Sequence, residues 1–134
     1  MWLLDTNVLS EMRKARPHGG ALAWMQRQPP SSLFIAAATI GEIQAGIERS
    51  RRPNPAKAIE IEDWLDRFAE GDHILPANAA VFRTWARLMQ GRSPDLTMDA
   101  MIAATAQVHR LTVATRNVRD FEALGVAVVN PFEG

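Results

Sequence analysis

The chain has 134 residues, no cysteine, and 15 lysines and arginines that balance 15 aspartates and glutamates, for a formal net charge of zero. This length suits a single domain over residues 1–134 that buries about two thirds of its unfolded surface, and the missing thiols exclude disulfides, thiolate metal sites and cysteine nucleophiles, which fits a reducing cytoplasm. Zero net charge argues against a broad nucleic-acid binder held by phosphate neutralisation alone, and no run of about 18 apolar residues suggests a membrane span.

Trp2-Leu3-Leu4 is an unbroken apolar run ending at Asp5, the pattern of a strand buried on both faces of a parallel sheet. Thr6 or Asn7 caps a helix through about Lys14, and a second helix runs from about Gly20 to Gln28, where Pro29-Pro30-Ser31-Ser32 breaks it. Leu33 to Ala36 reads as the next strand. Thr39-Ile40-Gly41-Glu42 has capping-box spacing and opens a helix to about Ser50, with Ile40, Ile43 and Ile47 on one face. After the loop Arg51 to Pro55, the residues Ile59, Ile61, Trp64, Leu65 and Phe68 mark an amphipathic helix closed by Gly71.

His73 to Leu75 is a third strand, and Pro76-Ala77-Asn78 opens a helix carrying Val81, Phe82, Trp85 and Leu88-Met89. Gly91 to Asp95 ends it, and Thr97 caps an alanine-rich helix through about Arg110. Leu111 to Ala114 and Val126 to Val129 are the last strands, joined by a short helix around Arg119 to Leu124. Strands alternating with helices predict an α/β fold with a mainly parallel sheet of about five strands. The tryptophans Trp24, Trp64 and Trp85 fall on apolar helix faces and are expected to pack rather than to stack on bases.

Acidic stations stand where strands or loops turn into helices: Asp5, Glu42, Asp99, and Asn117 with Asp120. In an open α/β sheet such positions converge on the crevice at the carboxyl ends of the strands. Each acid alone is also explained by the favourable charge of a first helical turn, worth about 0.3 to 1 kcal/mol. Asp5 resists that explanation, because it ends a strand expected to be buried, where an unpaired carboxylate is costly. Asp99 has apolar or small neighbours at Ile102, Ala103 and Ala106, and Glu42 has Gly46 one turn on.

Carboxylates about 5 Å apart repel by roughly 3 kcal/mol per pair at an effective dielectric near 20, so a cluster requires a cation or a proton. Oxygen donors without thiolates select Mg²⁺ or Mn²⁺ over zinc. The cations of the chain are almost all arginine, Lys14 and Lys57 being the only lysines, and the planar guanidinium suits phosphate recognition. Arg116 and Arg119 flank the last station and are the first substrate-binding candidates, followed by Arg13, Lys14 and Arg16.

LLDTNVLSE, TIGEIQAGI, MDAMIAATA, VATRNVRDF and VAVVNPF, in this order over essentially the whole chain, resemble the PIN-domain ribonucleases, and within them the VapC/FitB-like toxins of type II toxin-antitoxin systems. The resemblance implies a three-layer α/β/α PIN-like fold and a Mg²⁺-dependent endoribonuclease, with Mn²⁺ as a substitute, that cleaves structured RNA such as transfer RNA. It implies Asp5, Glu42 and Asp99 as metal ligands, Thr6 and Thr115 as hydroxyls supporting them, and Asn117 or Asp120 as the fourth active-site position. It also implies a cognate antitoxin protein as partner, a homodimer, and a toxin-antitoxin hetero-oligomer.

A haloacid-dehalogenase-like phosphatase needs a second acid two residues after the first, where this chain has Asn7, and a receiver domain needs a late lysine, whereas none follows Lys57. The rival from another class is a PIN-like binding module with reduced catalysis that acts through a protein partner. Intact Asp5, Glu42 and Asp99 argue against it.

Overall fold

The structure is a computed structural model that describes residues 1–133. Its central strand is the apolar run at the start of the chain. β1 (Trp2–Leu4) pairs in parallel with β2 (Leu33–Ala36) on one side and with β4 (Thr112–Ala114) on the other. β3 (Ile74–Leu75) and β5 (Val128–Val129) extend an all-parallel sheet of order β3-β2-β1-β4-β5. The strand order therefore reverses between β1 and β4, which opens a crevice at their carboxyl ends.

The helices are α1 (Thr6–Leu9), prolonged by a 3₁₀ turn at Ser10–Arg13, then α2 (Gly19–Arg27), α3 (Ala37–Arg51), α4 (Pro55–Asp66), α5 (Ala79–Leu88), α6 (Thr97–His109) and α7 (Val118–Ala123). Pleating divides neighbouring side chains of one strand between two cores. Leu3 and Val113 join Ile102, Ala103, Ala106, Phe121 and Leu124 on one face. Leu4 and Ala114 join Val8, Leu9, Trp24, Ile43, Ile47 and Leu65 on the other. The result is the expected α/β/α arrangement of three layers. Alternation with period two is what lets each short strand serve both.

Helix α6 is alanine-rich because it is sandwiched: every residue from Ala100 to Ala106 is buried. It stops at Arg110, which is left-handed (φ 57), and the Leu111 N–H bonds back to the Ala106 carbonyl at 2.9 Å. This closure takes Leu111 out of the strand, so β4 begins at Thr112 rather than at the expected Leu111. The tryptophans pack as expected. Trp24 meets Trp2 edge to face at 5.2 Å, Trp64 meets Phe68 at 4.7 Å, and Trp85 Nε1 donates to the Thr97 carbonyl at 3.2 Å.

Three capping expectations are corrected. Asp5, not Thr6 or Asn7, is the N-cap of α1, its Oδ1 accepting from the Thr6 N–H. Thr97 does not cap α6; its hydroxyl donates to the Pro94 carbonyl in the preceding 3₁₀ turn. Helix α3 starts at Ala37, directly out of β2, so Thr39 is its third residue and the Thr39-to-Glu42 capping box does not form. Among the described residues no helix is long and apolar enough to cross a membrane.

Candidate active site

Asp5 leaves the end of β1 as the cap of α1, and it is 3% exposed. A carboxylate this deep needs partners beyond the helix it caps. Thr115, the residue after β4, donates its hydroxyl to Asp5 Oδ2 at 2.7 Å, and Asn7 Nδ2 donates to the same oxygen at 3.2 Å. The Asp5 N–H also closes the β1–β4 ladder on the Ala114 carbonyl at 2.9 Å. Burial nevertheless dominates and raises the Asp5 pKa above its ordinary value, with the Glu42 charge adding to the rise against the Thr115 and Thr6 hydrogen bonds.

Glu42 lies in the second turn of α3, free of any capping role, and its Oε1 accepts the hydroxyl proton of Thr6. Asp99 stands in the first turn of α6 without a side-chain capping bond. Burial pushes its carboxyl from 3.8 up to about 6, and the neighbouring charges of Asp5, Asp120 and Glu42 push in the same direction. The acids therefore feel one another, although they come from the two ends and the middle of the chain.

Asp5, Thr6, Asn7, Glu42, Asp99 and Asn117 line one cavity of about 260 Å³ at the strand ends. Thr115 sits beneath it, and its Oγ1 also accepts the Asn117 N–H at 2.9 Å. Thr6 and Thr115 thus each place a hydroxyl on a carboxylate, Thr6 on Glu42 and Thr115 on Asp5. Asn117 faces the acids, whereas Asp120 lines the adjoining cavity and reaches Asp99 through its charge.

The carboxylates do not close into a tight triad: among the described residues no three acidic, histidine or cysteine side chains gather closely enough to hold an ion unaided. They surround a space instead. Hard oxygen donors, burial and mutual repulsion that together raise two pKa values, and room for water fit Mg²⁺ or Mn²⁺, which retain several waters beside one or two carboxylates. A cation there would relieve the repulsion that the metal-free carboxylates carry.

The basic candidates separate. Arg116 and Arg119 line the cavity next to the acids, and Arg13 lines another that shares Thr6 and Glu42 with them. Lys14 is neutralised by Glu11, with which it forms an ion pair. Arg16 is exposed.

One neighbour of the site and one buried acid were not foreseen. Asn7 bridges the switch point, donating to Asp5 while its Oδ1 accepts the Arg116 N–H at 3.2 Å. Glu11 is buried at 4% exposure, and Oε1 accepts the His18 N–H at 2.8 Å while its bond to Lys14 lowers its pKa. Its neighbours in SEMRKARPH give only the look of a solvated charge run; the sole available signal was the i,i+3 spacing of Glu11 and Lys14.

The PIN-domain family model matches residues 2–126. The chain belongs to the PIN-domain family and, within it, to the VapC- and FitB-like group. It is 34% identical to a VapC ribonuclease of Sinorhizobium fredii over 99% of both chains. It is 32% identical to the toxin FitB of Neisseria gonorrhoeae over 98% of this chain and 99% of that one. Among solved structures, FitAcB from Neisseria gonorrhoeae superposes with a TM-score of 0.85 at 32% identity over the whole of both chains. A toxin-antitoxin complex from Klebsiella pneumoniae superposes at 0.69, with 28% identity and full coverage of both chains.

Proposed function

We propose that this protein is a metal-dependent endoribonuclease, the toxin of a toxin-antitoxin pair, which hydrolyses phosphodiester bonds in structured RNA such as transfer RNA and so blocks translation in the cytoplasm. The observation that carries the reading is one cavity at the sheet's switch point lined by Asp5, Glu42 and Asp99, in a chain whose full-length relatives include a VapC ribonuclease and the toxin FitB. A cognate antitoxin and assembly as a homodimer within a hetero-oligomer follow from the same kinship, which includes a solved toxin-antitoxin complex.

Asp5, Asp99 and Glu42 are the residues that would hold Mg²⁺ or Mn²⁺. When bound, the ion supplies charge stabilisation at the phosphate and a more acidic water. The chain's own groups do the positioning. Thr115 and Asn7 fix the Asp5 carboxylate, Thr6 fixes Glu42, and Glu42 orients the attacking water or completes the ligand set. Asn117, or Asp120 beside it, holds that water in line.

The test is direct. Purified protein freed of any partner is expected to cleave RNA when Mn²⁺ is added, to stop on chelation, and to be inactive as Asp5→Asn. Persistent inactivity of the partner-free, metal-loaded protein would instead favour the binding module with reduced catalysis.

A further inference from the structure

The acidic cavity does not stand alone. It shares Asn117 with a cavity of about 400 Å³ that carries Arg116, Arg119 and Asn130. It also shares Thr6 and Glu42 with a cavity of about 410 Å³ that carries Arg13 and Arg49 above Ile43, Ile47 and Ile61. The sheet order sets these on opposite flanks: Glu42 follows β2, Asp5 follows β1, and Asn117 follows β4. Each flanking volume falls within the roughly 300 to 1,000 Å³ of small-ligand sites.

The flanking arginines are free to act. Among the described residues none of Arg13, Arg49, Arg116 and Arg119 has an ion-pair partner, whereas Arg51, on the same helix as Arg49, is paired with both Glu48 and Glu62. Arg116 is in addition preorganised. Asn7 holds its backbone N–H, and its guanidinium lies 3.8 Å from the centroid of the Phe132 ring. Stacking on an aromatic face leaves the N–H edge of the guanidinium available for a phosphate. Asp120 and Glu133 line the same cavity, so an anion there would depend on directed hydrogen bonds rather than on a diffuse positive field.

We propose that the acidic cavity is the middle of a three-part track for one RNA strand, in which the Arg116–Arg119 cavity takes the nucleotide on one side of the scissile phosphate and the Arg13–Arg49 cavity takes the nucleotide on the other. This rests on the ribonuclease reading above and gives it a geometry: carboxylates under the reacting phosphate, guanidinium groups under its neighbours. A single-stranded loop of a structured RNA is the segment that such a track admits.

The experiment measures binding of a short single-stranded RNA to the Asp5→Asn protein across a salt series, with Arg116→Ala/Arg119→Ala and Arg13→Ala/Arg49→Ala added separately and together. Each pair is expected to weaken binding about tenfold and to flatten the salt dependence by about 0.7 in log–log slope for each phosphate that is no longer neutralised. The combined variant is expected to show both effects. Arg116→Lys/Arg119→Lys keeps the charge, and is expected to keep the slope while losing affinity. Unchanged affinity and slope in either alanine pair overturns the track. If the enzyme with Asp5 intact cleaves RNA and both alanine pairs cleave with unchanged kcat/KM, the track fails and the ribonuclease reading stands. If the arginine effects on binding appear and no metal-dependent cleavage does, the RNA path over the two arginine cavities stands as a binding track and the ribonuclease reading fails.

Discussion

Thr115 donates its hydroxyl to Asp5 at 2.7 Å across 110 positions of sequence. The bond joins the two strands between which the sheet reverses its order. The same hydroxyl oxygen accepts the Asn117 N–H, so one side chain fixes both an acid of the cavity and the backbone of the fourth station.

Thr115→Val keeps the shape and removes the hydroxyl. Asp5 then loses a hydrogen bond that favours its charged form, and the Asn117 N–H loses its acceptor. Metal affinity or activity is expected to fall by about 10- to 100-fold, the usual effect of losing a group that orients a metal ligand, while Thr115→Ser retains most of it. Isothermal titration with Mn²⁺ and cleavage rates at saturating metal decide this; equal affinity in the valine variant would show that Thr115 only packs.

Asp5→Asn is expected to abolish cleavage while leaving the metal-free fold as stable as the parent or more so. The amide oxygen can still cap the Thr6 N–H, and a buried charge repelled by Glu42 is gone. Asp5→Ala removes the cap as well and is expected to cost about 1 kcal/mol. Thermal denaturation in chelator separates the two, and a large loss of stability in the asparagine variant would make Asp5 a structural residue.

Asp99 gives the metal-free protein a pH signature. Folded, it keeps its proton up to about 6, against an ordinary value of 3.8. Between those limits the native chain binds more protons than the unfolded one, so its contribution to stability is present below about 4 and is lost as the pH rises through about 6. Metal affinity is expected to move the other way and to rise over the same interval, because an ion held by Asp99 would compete with that proton. In chelator, the denaturation midpoints of the parent are expected to fall relative to those of Asp99→Asn as the pH rises across this interval, and to hold a constant offset outside it. Parallel profiles throughout would contradict the shift.

The fourth station separates by substitution. Asn117 lines the acidic cavity and Asp120 the neighbouring one. Asn117→Asp is expected to tighten metal binding, and Asp120→Asn to lower the Asp99 pKa by removing a nearby negative charge. Unchanged metal affinity in the first, with the second inactive, would transfer the station to Asp120.

The layers were legible because Leu3, Leu4, Val113 and Ala114 are apolar on both faces of the strands, and only a sheet covered on both sides buries them all. Asp5 and Asp99 were legible as helix-start residues, but Glu42, which lies one turn further in, was not, nor was how the acids are held. Thr39 and Glu42 have capping-box spacing, yet α3 springs from β2 without a loop, which buries Thr39 and leaves its hydroxyl without a partner among the described residues. Glu42 is thereby released toward Thr6. That junction is decided by how the sheet closes, not by local propensity. Glu11 is the same lesson in reverse: the returning backbone at His18, distant in local pattern, is what buries it.

The union of Asp5 with Thr115 also has an order in time. A chain made from its amino end exposes Asp5 early, and 110 further residues must emerge before its hydroxyl partner exists. Until β4 docks beside β1, the cavity lacks a wall, and the acids of the emerging chain stand without an assembled site. The cavity is therefore a property of the closed sheet and of no shorter stretch of the chain.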